Sequence, residues 1–350
     1  MIPLLLAGSV AGVLSLVGTQ YLMGWLRTHR VGQPIHEDVP DGHTAKAGTP
    51  TMGGVAIVVA AALGYGVAHV VWVWIMGETL PFTRTGLLVM LAIAAAGTVG
   101  ALDDWIKVSY ERNLGLSKAA KSGGLLAVAV TFALGMVEFT DVHTTLSFTR
   151  WSEPGWDMGP ILWCVWAVLL ILGFTNAVNL TDGLDGLAAG SAIYAFLAMT
   201  VIGFWANSHS AVYGTSHALD LAVVAAAMAG GVTGFLWWNA PPAQIFMGDT
   251  GSLAIGAGLA TLCLALNTQL LLPLVGALYV FETLSVIIQV GSFRIFHRRV
   301  FRMAPIHHHF ELGGWAETTV IVRFWMLALI STAVALGIYY ADFVSTGAAD

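Results

Sequence analysis

Apolar residues run along the chain in ten blocks, each broken off by a polar stretch. A helix needs about 20 residues to cross the hydrocarbon of a bilayer. Blocks at 4–25, 53–76, 86–102, 119–139, 158–178, 186–206, 217–238, 253–266, 271–291 and 320–340 reach or approach that length. The eighth is short and only briefly separated from the ninth, so that boundary is the least distinct. The longest polar stretches are 27–50, 103–118, 140–157 and 292–319. The pattern predicts an all-α polytopic integral membrane protein of about ten transmembrane helices. It forms one transmembrane domain over 1–350, with no soluble domain and no low-complexity tract.

Composition agrees. Hydrophobic residues make up 57% of the chain and charged residues 10%, against about 25% charged in soluble domains. The net charge of -6 is spread over short loops without an acidic or basic tail, which argues against a nucleic-acid partner. Cys164 and Cys263 both fall inside apolar blocks, where a thiol behaves as a small hydrophobe and points to neither a disulfide nor a metal. The first block lacks a basic lead-in and is followed by Arg27 and Arg30, so it reads as a retained span rather than a cleaved signal.

Ten spans put the loops after spans 1, 3, 5, 7 and 9 on one face. Twelve of the fourteen Lys and Arg residues lie in or beside those loops, Arg84 and Arg150 being the exceptions. The positive-inside rule therefore predicts that these loops are cytoplasmic and that both termini lie outside. The polar clusters fall on the same face, in loops at about 27–54, 103–121, 176–186, 239–252 and 292–319. The outer loops offer nothing comparable.

Each cluster has a plain structural reading and a chemical one. Asp103 and Asp104 read as a solvated helix end, yet two carboxylates there face an unfavourable dipole that a cation or a proton-transfer role would offset. Adjacent residues do not share a helix face, so the two are expected to have different tasks. Asn176, Asn179, Asp182 and Asp185, set among Gly183 and Gly186, supply either an N-cap with turn glycines or a ligand-gripping loop. The stretch Phe246-Met247-Gly248-Asp249-Thr250-Gly251-Ser252 opens the eighth span, where Asp249 could cap the helix and also hold a cation. Mg²⁺ typically takes one or two protein carboxylates and completes its shell with water and phosphate oxygens, and carboxylates on three loops suit a pyrophosphate-handling site. Consecutive His307, His308 and His309 cannot all point one way on a helix, which favours hydrogen bonds to a phosphate or sugar over a transition-metal site. Lys46, Lys107, Lys118 and Lys121 either follow the positive-inside rule alone or also neutralise phosphate. Glu282, deep in the ninth span, is a functional suspect without an identified partner.

With these clusters in this order, the chain resembles the phospho-N-acetylmuramoyl-pentapeptide transferases over nearly its whole length. These form a branch of the polyprenyl-phosphate N-acetylhexosamine 1-phosphate transferase superfamily. The resemblance is carried by the run from Lys46 through Gly48-Thr49-Pro50-Thr51-Met52-Gly53-Gly54, the Asp103-Asp104 pair, the run from Asn176 to Gly186, the Gly248-Asp249 stretch, and Pro305-Ile306-His307-His308-His309-Phe310-Glu311. His36 departs from the pattern, where an Arg is expected.

The resemblance implies a cytoplasmic active site in a bacterial inner membrane. There, Mg²⁺-dependent transfer of phospho-MurNAc-pentapeptide from UDP to undecaprenyl phosphate would form lipid I and release UMP. It implies Asp249 as the metal ligand, with Asp103 or Asp104 also near the metal or acting on the lipid phosphate; attack by an Asp itself is the competing scheme. Lys46, Asn179, Asp182, Gly183, Leu184, Asp185, Asn239, Phe246 and Met247 are implied at the nucleotide end, with His307 and His308 near the diphosphate or sugar. Oligomeric state stays open, a homodimer being one option. Two rivals remain: a UDP-GlcNAc transferase of the same superfamily, and a secondary transporter, whose carboxylates would sit near the bilayer midplane.

Overall fold

Each apolar block forms a helix, as hydrocarbon requires of a backbone whose polar groups must be satisfied internally. The computed structural model describes residues 1–29, 48–77, 80–109 and 115–347. In chain order the elements are α1 (Ile2–Thr28), α2 (Gly54–Met76), α3 (Arg84–Ser109), α4 (Lys118–Phe139), β1 (Thr145–Arg150), β2 (Glu153–Asp157), α5 (Gly159–Thr181), α6 (Leu187–Ser208), α7 (Ser210–Tyr213), α8 (Ala218–Asn239), α9 (Gly248–Ala265), α10 (Leu272–Val275), α11 (Ala277–Phe296), α12 (Ile306–Glu311) and α13 (Glu317–Ser345). Among the described residues, ten helices are long and apolar enough to cross a membrane.

Three boundaries differ from the sequence pattern in ways that matter. α3 continues to Ser109, so Asp103 and Asp104 lie inside the helix rather than at its end. Lys107, one turn beyond, bonds Asp103 at 2.7 Å and supplies the positive charge that a helix C-terminus favours. α9 begins at Gly248, whose φ of 71° turns the chain into the helix five residues before the apolar run. The polar stretch after α4 holds an antiparallel hairpin, β1 with β2. Its inward side chains are Thr145, Ser147 and Thr149. Thr149 donates to Asp342 at 2.7 Å and Arg150 pairs with the same carboxylate at 3.1 Å, pinning the hairpin to α13.

The centre of the bundle is α9, buried along almost its whole length. Its neighbours reach it at glycines. A Cβ on Gly100 of α3 would overlap the Asp249 carbonyl, and one on Gly54 at the start of α2 would overlap the backbone of Gly251. α1 and α8 cross in the same manner, Gly8 and Gly12 lying against Gly230 and Gly234. Between membrane helices, where apolar burial gives little drive, such close approach supplies the packing energy.

The end of the bundle opposite the basic loops is less bare than the sequence suggests. Buried Asp220 accepts hydrogen bonds from Thr83 N at 2.8 Å, Thr83 Oγ1 at 2.6 Å and Tyr65 OH at 3.2 Å, and lies 3.0 Å from His69 Nε2. One carboxylate thus ties the ends of α2, α3 and α8. A buried carboxylate is tolerable in a membrane protein only with such partners.

Candidate active site

The site is built around the first turn of α9. A helix start leaves backbone N–H groups without intrahelical partners, and here Asp104 reaches over from α3 to satisfy them. Its carboxylate accepts from Asp249 N at 3.1 Å, Thr250 N at 3.0 Å and Thr250 Oγ1 at 2.7 Å. Asp249 is therefore not its own helix's cap. Capping comes from another helix, which leaves the Asp249 side chain available.

That side chain gathers the other groups. Asp249 Oδ2 accepts from Lys107 Nζ and Lys121 Nζ, each at 2.8 Å. Asn179 Nδ2 donates to Asp249 Oδ1 at 2.5 Å and to Ser252 Oγ at 2.9 Å. Asp103 accepts from Leu116 N at 2.8 Å and pairs with Lys107 at 2.7 Å. Asp103, Asp104 and Asp249 each present an oxygen, all within 4.8 Å of one another. Three carboxylates against two ammonium groups leave one formal negative charge, in a pocket of hard oxygen donors. Such a donor set fits Mg²⁺, which prefers carboxylate and phosphate oxygens.

Two further loops lie against this cluster. Residues 50–54 bond to the opening of α9 through Phe246 N to Pro50 O at 2.8 Å, Gly53 N to Phe246 O at 2.9 Å and Gly54 N to Met247 O at 2.9 Å. The Phe246 ring is half-buried, whereas Met247 lies in the core. In the loop before α6, Asp182 is half-buried. Its carboxyl is pushed up to about 8 by burial, then by the charges of Asp249, Asp104 and Asp185. The unfolded chain loses that proton near the ordinary value of about 4, whereas the fold holds it to about 8. The group's contribution to stability therefore falls as pH rises through that window. Asp182→Asn, which cannot ionise, is expected to raise the melting temperature at pH 8 and by clearly less at pH 5. Thermal unfolding of both proteins in detergent checks this, and an equal shift at both pH values would contradict it.

Other candidates serve the frame. Asp185 accepts from Ala243 N at 2.9 Å while its own N–H donates to Glu317 Oε1 at 3.2 Å, linking this loop to the segment before α9 and to α13. Asn239 donates to Ile245 O at 2.9 Å, and Leu184 is buried among apolar residues. Asn176 turns back to Leu172 O of its own helix at 2.7 Å. Lys118 is exposed and makes no ion pair among the described residues. Lys46 and His36 lie outside the described residues.

The three histidines do point three ways. His309 Nδ1 accepts from Arg302 N at 3.1 Å, His308 Nδ1 lies 2.7 Å from Glu311 Oε2, and His307 Nδ1 lies 3.1 Å from Glu282 Oε2. Glu282 thus gains the partner that sequence did not supply. Thr250 and Ser252 join the site as well, and their signal in the sequence is their place beside Asp249 in the 246–252 stretch; for Glu317 no sequence signal exists.

A family model described as "Glycosyl transferase family 4" matches residues 86–267, and a "Phospho-N-acetylmuramoyl-pentapeptide-transferase signature 1" matches residues 46–58. A phospho-N-acetylmuramoyl-pentapeptide-transferase of Streptomyces griseus is 47% identical over 98% of this chain and 99% of its own length. Proteins of the same name from Cutibacterium acnes and Saccharopolyspora erythraea are 47% and 48% identical, each over 98% of this chain and at least 98% of their own.

Proposed function

Because the chain belongs to the phospho-N-acetylmuramoyl-pentapeptide-transferase family, we propose that the carboxylate and lysine cluster at the start of α9 carries the family's reaction. The protein transfers phospho-MurNAc-pentapeptide from UDP-MurNAc-pentapeptide to undecaprenyl phosphate, forming lipid I and UMP in peptidoglycan synthesis. The observation that carries this reading is the convergence of Asp103, Asp104, Asp249, Lys107 and Lys121 at one helix start.

The reaction breaks the P–O bond between UMP and the phosphorus bearing the sugar. It forms a bond from that phosphorus to an oxygen of the lipid phosphate, and the electron pair of the broken bond leaves with UMP. Catalysis is then mainly positioning and charge neutralisation. Asp104 holds the α9 N-terminus in place. Because the Asp104 oxygens are engaged there, Asp103, which meets Lys107 and Leu116 N instead of the helix start, is the carboxylate that orients the lipid phosphate and takes its remaining proton, lost near pH 6 in phosphate monoesters. Asp249 would hold Mg²⁺, which when bound would neutralise the diphosphate and the developing charge on UMP. Lys107 and Lys121 swing from Asp249 to phosphate oxygens as substrate enters. Asn179 keeps the Asp249 carboxylate oriented. Asp182 and the Phe246 ring border the nucleotide end.

The site faces the cytoplasm with both termini outside, a reading supported by the twelve Lys and Arg residues that the sequence puts in or beside the odd-numbered loops. This orientation suits a bacterial inner membrane enzyme with a soluble anionic donor and a lipid acceptor. All the named groups come from one chain, so a homodimer would carry two complete sites. The test is to supply purified protein with undecaprenyl phosphate, Mg²⁺ and either UDP-MurNAc-pentapeptide or UDP-GlcNAc, and to measure UMP. Release with the muramoyl donor alone is expected; release with UDP-GlcNAc alone would overturn the reading.

A further inference from the structure

Glu282 on α11 and His307 at the start of α12 are both fully buried, with His307 Nδ1 at 3.1 Å from Glu282 Oε2. Apart from that contact, neither ring nitrogen and neither carboxylate oxygen has a protein partner among the described residues. The opposite ring nitrogen, Nε2, faces Gly183 so closely that a Cβ there would stand 2.6 Å from it. Gly183 follows Asp182, whose carboxyl feels the charges of Asp249 and Asp104. The dyad thus runs from a lipid-exposed helix to the edge of the carboxylate cluster. Leu184, Leu278 and Ile306, which neighbour Gly183, Glu282 and His307 along their own segments, belong to one apolar cluster with Phe310 and Phe324.

A carboxylate in such surroundings is costly unless a partner offsets it. Neighbouring positions of α11, Phe281 and Ile287, are simply apolar and exposed to lipid. A carboxylate beside one imidazole nitrogen fixes the ring's orientation and its tautomer, leaving the other nitrogen aimed outward.

We propose that Glu282 is a positioning residue for the transfer reaction: it holds the His307 ring so that Nε2 meets the phosphorylated donor across Gly183, whose missing side chain leaves the gap. This rests on the family's reaction as proposed above and on the expectation, from the family resemblance, that the Gly183 loop and His307 lie at the donor. On that reading His307, buried against Gly183 in this structure, meets the donor when it binds, and Glu282 acts only through it.

A double-mutant cycle tests this. UMP release is measured for Glu282→Leu, Glu282→Gln, His307→Ala and the Glu282→Leu/His307→Ala double variant, with melting temperature as a check on folding. Glu282→Leu is expected to lower kcat by about a hundredfold while KM for the donor changes by no more than about threefold. Glu282→Gln, which keeps an oxygen acceptor for Nδ1, is expected to recover most of that loss. The double variant should be no slower than His307→Ala. Multiplying losses, or a Glu282→Leu variant at the wild-type rate, would overturn the positioning role. Should Glu282→Leu fail to fold, Gly183→Ala reads the same geometry from the other side. Its added methyl is expected to lower kcat in the wild-type background and to add nothing to His307→Ala; an unchanged rate in the wild-type background would overturn the proposal. His307→Ala at the wild-type rate would instead overturn the placement of the donor against His307.

Discussion

Asp249→Asn is expected to lower UMP release by at least about a thousandfold, equivalent to roughly 4 kcal/mol of transition-state stabilisation. The substitution keeps the shape of the side chain and an oxygen for Asn179, but removes the charge that Lys107 and Lys121 share. It leaves Asp103 as the only carboxylate of the cluster whose oxygens are not engaged by the α9 helix start. The fold should tolerate the change. The Lys107 and Lys121 side chains are 28% and 22% exposed and can turn to water, and Lys107 keeps Asp103. Thermal unfolding should therefore move little while activity collapses.

Asp104→Ala is expected to fail in a different way. Its carboxylate accepts three hydrogen bonds from Asp249 N, Thr250 N and Thr250 Oγ1, all at buried positions. Removing it strands these donors and uncaps α9, at a cost of about 3 kcal/mol in stability. Activity should fall by at least about a hundredfold because Asp249 is no longer held. Asp104→Asn, with one carbonyl oxygen in place of two, should recover part of the stability. Loss of stability and activity together for Asp104, against activity alone for Asp249, would distinguish the positioning carboxylate from the metal-holding one. An Asp104→Ala protein that melts like the wild type would remove the capping role.

Much of this arrangement was legible in the chain because membrane spans obey a simple length rule. All ten apolar blocks became helices, and the polar clusters of the basic loops meet at one end. The division of labour between Asp103 and Asp104 was not legible, because it depends on which carboxylate reaches α9, a contact between residues 104 and 249. Glu282 stood out as a buried charge, but its partner His307 lies across a loop and on another helix. The Asp220 network was invisible for the same reason, its donors Tyr65 and Thr83 and its neighbour His69 being far away in sequence and ordinary in type. The hairpin was hidden by an inverted pattern. Its buried face is Thr145, Ser147 and Thr149, so apolar periodicity points the wrong way.

On the proposed mechanism the α9 helix start holds a divalent cation through Asp249 together with the donor diphosphate. Mn²⁺ is the direct probe, since it prefers the same oxygen ligands as Mg²⁺ and its free form is counted by electron paramagnetic resonance. Titrating it into wild-type and Asp249→Asn protein, each with UDP-MurNAc-pentapeptide present and undecaprenyl phosphate absent, measures binding apart from turnover. The wild type should bind one ion per chain, and Asp249→Asn should bind at least about tenfold more weakly, a difference of about 1.4 kcal/mol. Equal affinity in the two proteins would contradict the account.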